Sequence, residues 1–228
     1  MKKLAISLAI VMSLTLIFNI SCSSNTQPLS GELPIWKVGD TWTSRTYMFG
    51  DEVTVVQTVV GGQMYNGIDC YIVNNQINSQ DTVTETIDKT TLKSIRTETY
   101  PINETGNGVI MDTSCNYSVK PYPLSVGKTW TVAGNFTQTL LLPGGNQTTT
   151  ETFSNTYKVE SIEGITVPAG IFQCFKIVRY DSNNSVIETD WVTDVTKGVS
   201  VKSVVNLSTD IPNMSEFTIE LISYSLAE

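Results

Sequence analysis

Val167-Pro-Ala-Gly-Ile-Phe-Gln-Cys-Phe-Lys-Ile177 reads as a turn feeding a strand, and a weaker copy stands upstream as Gly67-Ile-Asp-Cys-Tyr-Ile-Val73. Each copy is preceded by a second shared segment, Val38-Gly-Asp-Thr-Trp-Thr43 in one case and Val126-Gly-Lys-Thr-Trp-Thr131 in the other. A glycine turn opening into Thr-Trp-Thr, followed by a Gly…Cys-aromatic strand, thus occurs twice in the same order. The halves continue alike, as Thr84-Glu-Thr-Ile-Asp88 and Ile187-Glu-Thr-Asp-Trp191. We read this as an internal duplication, against the alternative of chance likeness between two β-rich segments. Pro121 and Pro123 interrupt any strand and set the boundary, giving a first β-rich repeat over 34–120 and a second over 121–228.

Between these anchors Thr, Val, Ile and aromatic residues dominate in short runs broken by Gly, Asn, Asp and Pro, the pattern of strands and hairpins. Trp130, Val132, Gly134, Phe136, Gln138 and Leu140 alternate with mostly polar neighbours, Leu142-Pro-Gly-Gly-Asn146 reverses the chain, and Phe153, Tyr157 and Val159 begin the return. Phe217, Ile219 and Leu221 repeat the alternation near the end. Such period-two patterning belongs to sheets dry on one side and wet on the other, hence antiparallel. No stretch shows sustained helical periodicity after the N-terminus. The fold class expected is all-β.

The first residues follow other rules. Met1-Lys-Lys3 and the apolar run Leu4–Ile20 have the form of a secretory signal, with a retained membrane helix as the competing reading. Ser21-Cys22 at the end of the run resembles a bacterial lipobox, in which Cys22 is lipidated and becomes the new N-terminus; Asn19 departs from the usual Leu. Several acyl chains, palmitate among them, on one residue anchor stably where one chain would not. Residues 1–21 are therefore expected to be a lipoprotein signal peptide and 22–33 a polar, flexible tether. Loss of the first 21 residues leaves 207, enough for one good-sized domain or two small ones.

Composition excludes more than it assigns. The chain carries 14 basic and 22 acidic residues, net −8, with no basic cluster, so nucleic acid and direct binding to anionic headgroups are disfavoured. Histidine is absent, which removes Ser-His-Asp and Cys-His catalysis and most zinc catalytic sites. There is no Gly-x-Ser-x-Gly elbow and no phosphate loop. Gly61-Gly62 and Gly144-Gly145 read as hairpin turns.

Carboxylates are the remaining acid/base groups. Glu85 with Asp88, and Glu188 with Asp190 and Asp194, would serve a paired-carboxylate hydrolase or a Ca²⁺ site if they converged in a cleft. The plainer reading leaves them facing solvent from Thr-rich strands. Beyond Cys22, Cys70, Cys115 and Cys174 are odd in number. One disulfide with a spare thiol or three free thiols both fit, and Cys70 and Cys174 suit buried apolar positions. Trp42 and Trp130 stand at matching places, as core anchors or as a sugar-stacking platform, and Trp191 and Tyr180 carry the same ambiguity. Asn135-Phe-Thr137 is a glycosylation sequon only in a eukaryotic secretory context.

The Val167–Ile177 segment, Trp191 in the following hairpin and Val126-Gly-Lys-Thr-Trp-Thr131 together resemble an uncharacterised, TapB-like family of exported bacterial and archaeal lipoproteins. The likeness runs over about Pro123–Val205 and more faintly over Pro34–Thr99, with a distant similarity to LolA-, LolB- and LppX-type carriers. It implies a twisted antiparallel sheet bent into a half-barrel, and it brings no catalytic residues. LolA-type carriers add a helical lid, which this sequence does not show.

The expectation is a non-enzymatic exported protein, tethered to the membrane through lipid on Cys22 and facing outward or lying in the periplasm, with no cofactor or metal. It takes one of two forms. In the first, a concave face between Trp130, Phe136, Phe175 and Ile177 admits a lipid or other apolar ligand. In the second, those side chains fill the core of a structural or interaction protein of the cell envelope.

Overall fold

A computed structural model describes residues 29–48, 50–79, 81–100, 108–115, 120–142, 144–207 and 215–228. The period-two segments all become strands: β1 (Thr41–Met48), β2 (Asp51–Tyr65), β3 (Ile68–Ile77), β4 (Asp81–Asp88), β5 (Ser94–Tyr100) and β6 (Gly108–Cys115). They continue as β7 (Thr129–Leu141), β8 (Gln147–Val167), β9 (Gly170–Tyr180), β10 (Val186–Val192), β11 (Lys202–Asn206) and β12 (Glu216–Ser225). Every strand pairs antiparallel with its chain neighbours, and β1 also pairs with β12, from Thr41 opposite Ser225 to Thr46 opposite Ile219. The fold is all-β.

The half-barrel expectation is corrected here: the sheet is a closed twelve-stranded barrel. Closure gives the backbone N–H and C=O groups of β1 and β12 partners that an open sheet would leave bare. Alternation along a strand is the same in an open and a closed sheet, so this is the property the sequence pattern could not report.

The matching segments of the two halves make matching backbone contacts. Gly39 (φ 98°) and Gly127 (φ 88°) occupy left-handed turns that favour glycine. The N–H of Gly39 donates to Val59 O and that of Gly127 to Val159 O, each at 2.8 Å. Val59 N–H then donates to Asp40 O and Val159 N–H to Lys128 O, each at 2.9 Å. A β-bulge follows at once in both, between Val59 and Gly61 and between Val159 and Ser161. Bulges sharpen twist and bend a strand, so each half turns its long hairpin at the same place.

An even ring of antiparallel strands sends all odd-numbered strands one way. One end of the barrel, termed the base, therefore collects residues 34–40, 66–67, 89–93, 120–128, 168–169 and 193–201. Past its bulge the β8–β9 hairpin folds across this opening, and Ala169 N–H donates to Leu221 O of β12 at 3.2 Å. Trp36 fills the base from the other side, with its centroid 5.4 Å from both Trp42 and Tyr71. Its indole N–H donates to Lys197 O, and that of Trp42 to Thr196 O at 2.8 Å. Phe172, Cys174, Val199, Val201 and Leu221 complete this cluster.

Residues 1–21, expected to be a signal peptide, Cys22 and most of the expected tether lie outside the described residues. Of that tether, residues 29–33 are held in place. The N–H groups of Ser30 and Gly31 donate to the Asp194 carboxylate, Leu124 N–H donates to Gly31 O at 2.7 Å, and Leu29 packs against the second-half core.

Candidate functional site

Strand registers sort the inward-facing side chains into rows that run around the barrel wall. In the first half one row reads Trp42, Gln57, Asn75, Val83 and Thr99; its counterpart reads Trp130, Tyr157, Arg179, Glu188 and Val205. The next row toward the base reads Val59, Val73, Glu85 and Thr97, matched by Val159, Ile177, Asp190 and Ser203. By register, then, the partner of Glu85 in the second half is Asp190. The sequence match of Glu85 with Glu188 is thus two residues out of step with the strand register.

These rows overturn the solvent-facing reading of the carboxylates. Glu85 is 0 % exposed and Glu188 2 %, and Asp88 and Asp190 are buried as well. Each is handled differently. Glu188 accepts a charge-assisted bond from Arg179 at 3.1 Å, both side chains out of water. Asp190 accepts the hydroxyls of Ser200, at 2.9 Å, and Ser203. Asp88 is built into a local turn, taking the Thr90 N–H at 2.8 Å and the Thr91 hydroxyl at 2.7 Å; burial opposes its charge, but these bonds outweigh burial and hold its carboxyl low. Asp194 holds the N-terminal segment at the base.

Glu85 is the exception. Neither of its oxygens finds a hydrogen-bond partner among the described residues, and the nearby Gln57 amide is committed to Asn75 at 2.7 Å. Burial pushes Glu85 up to about 8, with the Asn75 amide alone pulling the other way, so at pH 7 this side chain is mostly a neutral acid.

The second half holds its charges as a group. Lys120, next to the boundary prolines, is buried and lowered to about 8 by loss of water, against the attraction of Asp190 and Glu188. Burial lifts Glu188 despite the pull of Arg179, while Arg179 stays protonated beside it, its own burial offset by Glu188 and Tyr157. The Nε and Nη1 of Arg179 have no acceptor among the described residues. Sequence reasoning missed Lys120 and Arg179, and placed Tyr157 in the return strand without giving it a role. The signal was there for Arg179: it is a lone charge in the apolar strand Ile177-Val-Arg-Tyr180, in phase with Ile177 and so on the inner face.

Of the residues expected to line a ligand cleft, Trp130, Phe175 and Ile177 come together. They pack with Leu124, Val132, Tyr157, Val159 and Val192 and keep 8, 3 and 2 % of their surface exposed. Trp130 stacks on Tyr157 at 5.4 Å and 7°. Phe136 lies apart, further along β7, half-buried and opposite Glu151 where the β7–β8 hairpin outruns the wall. From Gln147 to Asn155 β8 pairs with β7 alone, since β9 joins only at Thr156. Trp42, 1 % exposed, is a core anchor like Trp130. Trp191 sits on the outer wall, donating to Glu163 at 3.0 Å, and Tyr180 donates to Glu160 at 3.0 Å. Cys70 and Cys174 are buried free thiols, so they form no bridge to each other; the Cys115 side chain and Cys22 lie outside what is described.

No protein-family model matches the chain, and no curated protein does. Two solved structures are similar in trace. A candidate exported protein with a YmcC-like fold from Bacteroides fragilis aligns at TM-score 0.44 and 13 % identity, over 85 % of this chain and 99 % of its own. A candidate lipoprotein from Parabacteroides distasonis aligns at TM-score 0.38 and 11 % identity, over 87 % of this chain and 100 % of its own. At such overlap neither supplies a residue-by-residue correspondence.

Proposed function

We propose that the protein is a non-catalytic lipoprotein of the cell envelope, exported and held at the membrane through lipid on Cys22, whose barrel is a filled scaffold rather than a carrier. The observation that carries the scaffold reading is the packing of Trp130, Phe175 and Ile177 into one buried cluster, which occupies the space an apolar ligand would need. The anchor reading is supported by Met1-Lys-Lys3, the Leu4–Ile20 run and Ser21-Cys22. A non-enzymatic role fits the absence of histidine and the commitment of Glu188 and Asp190 to internal partners. A second reading is favoured by one feature: Phe136, Phe153 and Leu140 are only half-buried where the β7–β8 hairpin extends, and there a small apolar ligand could lodge.

Native mass spectrometry of the mature chain released from detergent separates these readings. The scaffold predicts the mass of protein plus its covalent acyl groups and nothing further after incubation with fatty acid. An additional lipid that Phe136→Asp abolishes would establish the carrier instead. An unmodified Cys22 peptide would remove the anchor.

A further inference from the structure

We propose that the base of the barrel is a membrane-seating surface, pressed onto the lipid interface by the short link to the anchor; this rests on the reading of Cys22 as the lipidated residue. The argument begins with where exposed apolar side chains fall. Ile35, Val38, Ile68, Val126, Ile171 and Val195 are exposed by 73, 64, 36, 53, 63 and 37 %. Each lies in a base turn or within two residues of one. Met64, 66 % exposed, is next to the last residue of β2 at the same end. Of the other exposed large apolar residues among those described, Val60 and Ile162 lie at or just past the two bulges, and Tyr47 and Val186 lie toward the opposite end, whose loop residues 49, 80, 101–107, 143 and 208–214 are outside the described residues.

The placement is repeated by the two halves. Val38 and Val126 precede the matching glycine turns, and Ile68 and Ile171 open or nearly open the matching strands. Ile171 is on the side of the β8–β9 tip opposite Phe172, which is 2 % exposed in the base core, so it points away from the barrel. Single apolar side chains spread around an end fit a flat surface better than a groove, and apolar residues at interfacial depth are what hold monotopic proteins on a bilayer.

The occupant follows from the N-terminus. Residue 29 is at this same end, packed on the core, with Ser30 and Gly31 bound to Asp194 of the β10–β11 loop. Six residues lie between Cys22 and Leu29, so the seven Cα-to-Cα steps reach at most about 25 Å when fully extended. A lipid on Cys22 therefore keeps the base, not the far end, beside the membrane. The wall itself does not fit lipid: it carries the pairs Arg96–Asp112, Lys176–Glu160 and Lys202–Glu220 where a membrane-spanning barrel needs an apolar band.

The test uses the full lipidated chain in phosphatidylcholine vesicles, in a Cys115→Ser background. The environment-sensitive dye NBD is attached at Val126→Cys or Ile171→Cys on the base, or at Val186→Cys on the far end. Nitroxide-labelled lipid is then added as quencher. The expected result is a blue-shifted emission and quenching several-fold stronger at positions 126 and 171 than at 186. Equal, weak quenching at all three, in chain that floats with the vesicles, would overturn the seating while leaving the anchor intact. Failure to float would remove the anchor and with it the seating. A blue shift at the base that needs no vesicles would assign the surface to a second copy of the chain.

Discussion

Replacing Glu85 by Gln isolates the most unusual group in the barrel. A carboxyl at about 8 in the folded chain and at 4.5 when unfolded binds its proton more tightly in the native state. Its contribution to stability is therefore complete below pH 4.5 and is lost as pH rises toward 8. At 1.36 kcal/mol per unit, the native state loses about 3 kcal/mol between pH 5 and pH 8 through this one residue. Glutamine keeps the shape and cannot ionise. Its unpaired amide carries a cost of about 1–3 kcal/mol, but that cost does not change with pH. The reading is thus a difference of differences: urea unfolding of both chains at pH 5 and pH 8, followed by tryptophan fluorescence. Glu85→Gln should be level with or below the parent at pH 5 and gain on it by about 3 kcal/mol by pH 8. Lys120 and Glu188, both moved to about 8, titrate in the same window but are common to the two proteins and cancel in the comparison. Parallel pH profiles for the two chains would refute a buried, unpartnered acid at position 85.

Arg179→Met should cost about 3–5 kcal/mol by leaving Glu188 buried without its partner, and Arg179→Met/Glu188→Met should recover most of it; equal losses in urea melts would show that the pair is not coupled. Trp42→Phe removes the indole bond to Thr196 O and should lower the urea midpoint, at unchanged slope, by an equivalent of about 1–3 kcal/mol. Asp194→Ala frees the amides of Ser30 and Gly31, so proteolysis before Trp36 should quicken while the barrel stays intact; an unchanged cleavage rate would mean that residues 29–31 are held by packing alone. In the native chain a maleimide should leave Cys70 and Cys174 unmodified, and both should react in urea, as peptide mapping would show.

Much of the architecture was legible because Gly and Trp are demanding residues. The Val-Gly-x-Thr-Trp-Thr segments needed a left-handed glycine before an inward tryptophan, and both halves supply it. The burial of Cys70 and Cys174 was legible too, as small residues flanked by apolar strand neighbours, whereas their lack of a bridge was not. Closure was not, since it depends on whether β1 and β12 meet, a fact carried by no single segment. Nor were the buried carboxylates. Thr84 and Thr86 flank Glu85, and threonine is at home on either face of a sheet, so the pattern there does not say which side is wet. Lys120 was hidden differently: it belongs to a proline-bounded connection, where residues are ordinarily solvated.

The seam between β1 and β12 has a kinetic consequence. Eleven of the twelve pairings join strands adjacent in the chain and can form locally, by hairpin growth. The twelfth must wait until nearly the whole sequence has been emitted and ordered, and its loop-closure entropy is the largest in the molecule. Until then the first and last strands are bare templates for pairing with other molecules. The slow step of folding should be ring closure, and interventions that help it, such as covalently joining the neighbouring ends where Ala227 N–H meets Asp40 at 2.8 Å, should raise the refolding rate and suppress aggregation more than they raise equilibrium stability.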